Sequence, residues 1–128
     1  MEKRILVVDD EAAISKLMAR ALTKAGYEVQ TAVSAEEALE LIKTYKYMVF
    51  FLDLKLPKMN GIELCRIIRR DYPLTICYAV TGYADTFEVS DCREAGFEDF
   101  FTRPVNLQEI QGAAVQAFIK QSHWKKDE

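Results

Sequence analysis

Three aspartates, one hydroxyl and one guanidinium stand directly after apolar runs in this 128-residue chain. Asp9, Asp10 and Glu11 follow Ile5–Val8, and Asp53 follows Met48–Leu52. Thr81 follows Thr75–Val80, and Arg103 lies just past Phe100-Phe101. Carboxylates crowded together repel, so they coexist only with a proton or a hard cation between them. Mg²⁺ suits an all-oxygen site of one or two carboxylates and water, with a phosphate completing its shell. A hydroxyl and a guanidinium on the same rim are donors for phosphoryl oxygens. The residue types therefore indicate a site for Mg²⁺ and a phosphoryl group. Each position alone has a plainer explanation. Asp9-Asp10 is also a turn and helix cap, Asp53 and Thr81 are also turn residues, and Arg103 is also a surface cation. All of them falling at strand ends together is much less easily explained that way.

That convergence requires the apolar runs to be neighbouring parallel strands. Ile5–Val8 is rich in β-branched residues and stops at Asp9-Asp10, as a buried strand would. Ile14, Leu17, Met18, Ala21, Leu22 and Ala25 form a helical stripe that ends at Gly26. Tyr27–Ala32 alternates apolar and polar residues, which predicts an edge strand with one wet side. Ser34 to Glu37 is a capping-box pattern opening a helix with Ala38, Leu41, Ile42 and Tyr45 on one face. Met48–Leu52 is the most hydrophobic run and predicts a central strand. A loop with Pro57 and Gly61 leads into a helix over 61–71, bounded by Pro73. Thr75–Val80 predicts a fourth strand, 84–95 a weaker helix closed by Gly96, and Phe100-Phe101 a short fifth strand. Asn106 caps a last helix with Leu107, Ile110, Ala114 and Ala117 inward. Five strands alternating with five helices imply right-handed crossovers and a doubly wound parallel sheet covered on both faces, an α/β fold. In such a sheet ligands bind beyond the carboxyl ends of the strands.

Length and composition fit one domain, expected over 1–121, with 122–128 a polar tail that frays or begins a linker. Half of the residues are hydrophobic and the net charge is −3. No basic footprint marks direct nucleic-acid binding. No run is long enough for a signal peptide or a membrane span. Cys65, Cys77 and Cys92 lack metal-ligand spacing and read as buried thiols of a reducing, cytoplasmic compartment.

"ILVVDDE", "DLKLPKMNGIEL", "VTGYAD" and "FFTRPVN", in that order, closely resemble the receiver domain of two-component response regulators, over roughly residues 3–120. The resemblance implies a flavodoxin-like (βα)5 fold with strand order 2-1-3-4-5. It implies Asp53 as the phosphoacceptor, taking its phosphoryl group from a histidine kinase or phosphotransfer protein. Asp10 would bind Mg²⁺ directly and Asp9 through water, with Asp53 and the Lys55 backbone carbonyl as further ligands. Thr81 would hold a phosphoryl oxygen, and Phe100 would be the aromatic switch that turns inward as Thr81 moves. The Arg103-Pro104 peptide is expected to be cis. No organic cofactor is implied. The domain would catalyse only its own phosphorylation and dephosphorylation. Its partners would be the kinase and an effector or an output domain absent from this chain, with phosphorylation-dependent homodimerisation left open.

Arg103 departs from the pattern, which has lysine there. Charge is kept, but a planar fork replaces a compact ammonium. The intact aspartates and Thr81 favour a phosphorylatable domain with altered kinetics over a receiver used only for docking. Tyr83 and Lys55, two residues past site residues, are candidates to shield a phosphoryl group from water. Two other classes fit less well. A haloacid-dehalogenase-type phosphohydrolase would have an aspartate at position 55, where this chain has lysine. A nucleotide-binding module would have a glycine-rich loop after the first strand, and none is present.

Overall fold

The computed structural model describes residues 3–82 and 89–126. Strands β1 (Arg4–Val8), β2 (Glu28–Ala32), β3 (Val49–Asp53), β4 (Ile76–Thr81) and β5 (Phe97–Thr102) alternate with five helices. The helices are α1 (Ala12–Lys24), α2 (Ala35–Thr44), α3 (Gly61–Asp71), α4 (Val89–Ala95) and α5 (Leu107–Lys126). The strands form one parallel sheet in the order β2-β1-β3-β4-β5. The expected doubly wound α/β architecture is therefore present, with β2 at an edge.

Alternation along the strands sorts the core into two layers. Leu6, Val8, Phe50, Leu52, Cys77 and Ala79 face α2, α3 and α4. Ile5, Val7, Val49, Phe51, Tyr78 and Val80 face α1 and α5. β1, β3 and β4 are buried on both faces, which is why they read as continuous apolar runs.

Local chemistry sets the element ends. Ser34 Oγ accepts the Glu37 amide (3.1 Å), while the Glu37 carboxylate reaches back to the amide of Val33. Asn106 Oδ1 accepts the amides of Gln108 and Glu109. Asn60 does the same for Glu63, a cap that the sequence reading passed over. Gly26 (φ 104°) and Gly96 (φ 103°) take left-handed conformations at the stops of α1 and α4. The Arg103-Pro104 bond is cis, as expected.

Several expectations change. Tyr45, expected on the apolar face of α2, is exposed just past its end, and residues 84–88 of the helix expected over 84–95 lie outside the described residues. The fifth strand covers Phe97–Thr102, longer than Phe100-Phe101, because the exposed Glu98 and Asp99 lie in an edge strand that pairs with β4. The segment from Gln121, expected as a polar tail, is helical up to Lys126. It continues α5, and buried Gln121 donates through Nε2 to the carbonyls of Met48 (2.8 Å) and Leu74 (3.1 Å). Leu17 and Ala25, placed on the inward stripe of α1, are exposed; Met18, Ala21 and Leu22 carry the buried contact.

Candidate functional site

Strand register assembles the rim. Val8 pairs with Leu52, so the next residues, Asp9 just past β1 and Asp53 at the end of β3, come side by side. Asp53 pairs with Val80 and Thr81 with Thr102, which brings Thr81 and Arg103 to the same end. Backbone hydrogen bonds carry the pairing past the strand ends, from Asp9 to Ala32 O (3.0 Å), Leu54 to Val80 O (3.2 Å) and Arg103 to Thr81 O (2.9 Å). The neighbours β1 and β3 are where strand order reverses, so the aspartates sit at the topological switch point.

Gly61 lets α3 come close. A Cβ there would lie 2.9 Å from the Asp53 carbonyl carbon and from Leu54 Cα, and nearer still to the Asp53 carbonyl oxygen. Only glycine allows that approach. The loop between β3 and α3 turns at Lys58, whose φ is 61°.

Asp9, Asp53 and Thr81 are buried, whereas Asp10 is exposed. Asp9, Asp10 and Asp53 each offer a carboxylate oxygen, and the three oxygens lie within 4.8 Å of one another. Burial raises the Asp53 pKa to about 6; the Lys55 amide (3.0 Å to Oδ1) lowers it, and the charge of Asp9 raises it. Arg103 lowers it too, through an Nη2–Oδ2 contact of 3.4 Å. Asp9 is also raised by burial, against the Glu11 amide (2.8 Å to Oδ1) and Arg103. Asp9 thus serves the turn with one oxygen and the site with the other. The donor set is all carboxylate oxygen, which fits a hard divalent cation and offers nothing soft.

Arg103 is not a surface cation, since its side chain is only 15% exposed. Nη2 pairs with Asp9 Oδ2 and approaches Asp53, while Nη1 pairs with Glu11 Oε1 at 3.0 Å. Its Nε is buried without an acceptor among the described residues. In sequence Glu11 is only the third acid after β1, and its contact with Arg103 adds it to the rim. The one available signal was the longer reach of arginine. Phe100 lies on the exposed side of β5, in a small cleft with Cys92, Arg93, Phe97 and Asp99. Tyr83 lies outside the described residues. Cys65, Cys77 and Cys92 are buried, unpaired thiols in the core beneath α2, α3 and α4.

A five-stranded doubly wound sheet of order β2-β1-β3-β4-β5, with an acidic rim at its switch point, defines a flavodoxin-like α/β domain. A family model described as "Response regulator receiver domain" matches residues 5–115. The chain belongs to that family. It is 37% identical over 122 residues to the alkaline phosphatase synthesis transcriptional regulatory protein PhoP of Bacillus subtilis, covering 95% of this chain and 50% of PhoP. It is 32% identical to the DNA-binding response regulator MtrA of Mycolicibacterium paratuberculosis, covering 95% of this chain and 53% of MtrA. The chain therefore spans about half the length of these curated relatives. Among solved structures, a CheY-like receiver domain protein from Methanospirillum hungatei aligns with a TM-score of 0.88 and 30% identity, covering 96% of this chain and 98% of that one. The BeF3-activated DrrB receiver domain aligns with a TM-score of 0.84 and 30% identity, covering 92% and 98%. No helix among the described residues is long and apolar enough to cross a membrane.

Proposed function

We propose that this receiver domain is a phosphoacceptor switch of a two-component system, with Asp53 as the residue phosphorylated. The observation that carries the reading is the placement of Asp53. Its buried carboxylate lies among Asp9, Asp10 and Arg103 at the switch point, on the last residue of the most apolar strand. A carboxylate oxygen of Asp53 attacks the phosphorus of a phosphohistidine on a kinase or phosphotransfer protein. The P–O bond forms as the P–N bond breaks, and the imidazole leaves. Raised basicity from burial makes Asp53 a better nucleophile while leaving it ionised at neutral pH.

Mg²⁺, held by Asp9, Asp10, Asp53 and the Lys55 backbone carbonyl, would supply charge neutralisation between nucleophile and phosphoryl oxygens. The remaining work belongs to the chain. The Thr81 hydroxyl donates to one phosphoryl oxygen, and the Arg103 guanidinium, with its unsatisfied Nε, donates to another. An aspartyl phosphate adds nearly two negative charges, which draws Thr81 and Arg103 toward it and biases the neighbouring segment. Phe100, now in an outer cleft, turns inward as Thr81 moves, and the surface of α4, β5 and α5 changes with it. That surface acts on an effector protein or an output domain, in keeping with relatives about twice as long, one described as a transcriptional regulatory protein and another as a DNA-binding response regulator. The self-dephosphorylating activity implied by the sequence reading uses the same residues.

The test is intact-mass analysis after incubation with acetyl phosphate and Mg²⁺. One phosphoryl group should be added, and none in Asp53→Asn. Absence of the adduct in the wild-type chain would leave a phosphorylation-independent docking domain.

A further inference from the structure

Within the rim, Arg103 spans three carboxylates at once. One arm pairs with Asp9 and lies 3.4 Å from Asp53, and the other is anchored 3.0 Å from Glu11. Asp9 and Asp53 are two of the three residues whose oxygens converge within 4.8 Å. We propose that Glu11 and Arg103 form a two-armed latch that supplies the resident countercharge of the acidic pocket, and that a divalent cation must displace this latch to bind. The proposal rests on reading the rim as a divalent-cation site.

The physical argument begins with charge. The guanidinium can leave these oxygens only by moving. A hard cation needs carboxylate lone pairs that now face Nη2. Glu11 holds the latch shut. Its carboxylate at the start of α1 anchors Nη1 at 3.0 Å and so keeps Nη2 on Asp9. Glu11 is thus a positioning residue, acting through Arg103. The latch also accounts for an arginine at position 103. A lysine brings the same charge as a single compact point and cannot send separate directed arms to Glu11 and to Asp9.

Charge alone and a directed latch make different forecasts, and Arg103→Lys separates them because net charge is unchanged. Mg²⁺ is titrated by calorimetry into the metal-free, unphosphorylated full chain at about pH 8, above the raised value of about 6 for Asp53. The latch requires Arg103→Lys to bind Mg²⁺ about tenfold more tightly than wild type, a typical coupling for directly competing groups. Glu11→Gln should tighten binding in the wild-type background and fail to do so in Arg103→Lys. Equal affinity of wild type and Arg103→Lys overturns the proposal, as does a Glu11→Gln effect that is the same in both backgrounds. Absence of Mg²⁺ binding in all variants refutes the cation-site reading itself, and the latch with it. If Arg103→Lys does not fold without metal, the wild-type Arg103 Nε–H resonance is followed instead. It should shift and broaden in step with Mg²⁺ saturation. A resonance unmoved at saturation overturns the proposal.

Discussion

Replacing Asp53 by asparagine should stabilise the metal-free protein at neutral pH. Asp53 has its pKa raised from 3.8 to about 6, first by burial and then by the nearby charge of Asp9, against the Lys55 amide and Arg103. A group raised in the folded state adds stability fully below its unfolded pKa and loses it as pH rises through the folded value. For an aspartate shifted by about two units, the ionised form costs on the order of 2–3 kcal/mol at pH above 7. Asparagine keeps the shape and can accept the Lys55 amide, but it removes the buried charge. Asp53→Asn should therefore gain roughly 2 kcal/mol near pH 7.5, a rise in Tm on the order of 6–10 °C for a domain of this size.

The assay is thermal or urea unfolding in EDTA, with wild type and Asp53→Asn compared from about pH 4 to pH 8. Other carboxylates titrate in both chains and largely cancel in the difference. The gap should be widest above pH 7, narrow through about pH 6, and close near pH 4, where native Asp53 is already protonated. Asp9, raised in the same direction, remains in both chains. A gap independent of pH, or a variant less stable than wild type at pH 7.5, would refute the claim that burial of ionised Asp53 is held at a cost. The second result would mean that the Arg103 contact at 3.4 Å outweighs desolvation.

Two further substitutions test the supports of the site. Gly61→Ala drives a methyl into the Asp53–Leu54 backbone and should destabilise by roughly 1–3 kcal/mol, with slower acetyl-phosphate labelling as Asp53 is displaced. Unchanged labelling in a folded variant would show that α3 does not set the position of Asp53. Gln121→Ala leaves the carbonyls of Met48 and Leu74 without their side-chain donor and should cost about 1–3 kcal/mol. Hydrogen exchange should rise over the last two turns of α5, while labelling of Asp53 at the opposite end of the strands stays at the wild-type rate.

What was legible in the sequence follows from where information is local. β1 and β3 are buried on both faces, so an unbroken apolar run ending in aspartate states both the strand and its functional end. The rim of Asp9, Asp10, Asp53, Thr81 and Arg103 then follows from parallel pairing, because strand ends align without any knowledge of side-chain contacts. The start of β5 is hidden in the sequence because its register with β4 shifts between Cys77 and Tyr78, skipping Glu98, and the two adjacent exposed acids break the alternation expected of a strand. The end of α5 carries no apolar stripe that marks it as helix, because polar residues rarely fold by themselves. Gln121 is ordered by two carbonyls 73 and 47 residues away, which no local pattern reveals. Glu11 is the instructive case. It sits outside the strand ends, exposed at the start of α1, and nothing in its neighbourhood separates it from an ordinary solvated acid. Its part in the rim depends on a side chain 92 residues away that is long and forked enough to touch it and Asp9 together. The substitution of arginine for lysine was visible in sequence as a departure. Only the geometry turns it into a matched pair, because the fork has a second arm and Glu11 is where that arm goes.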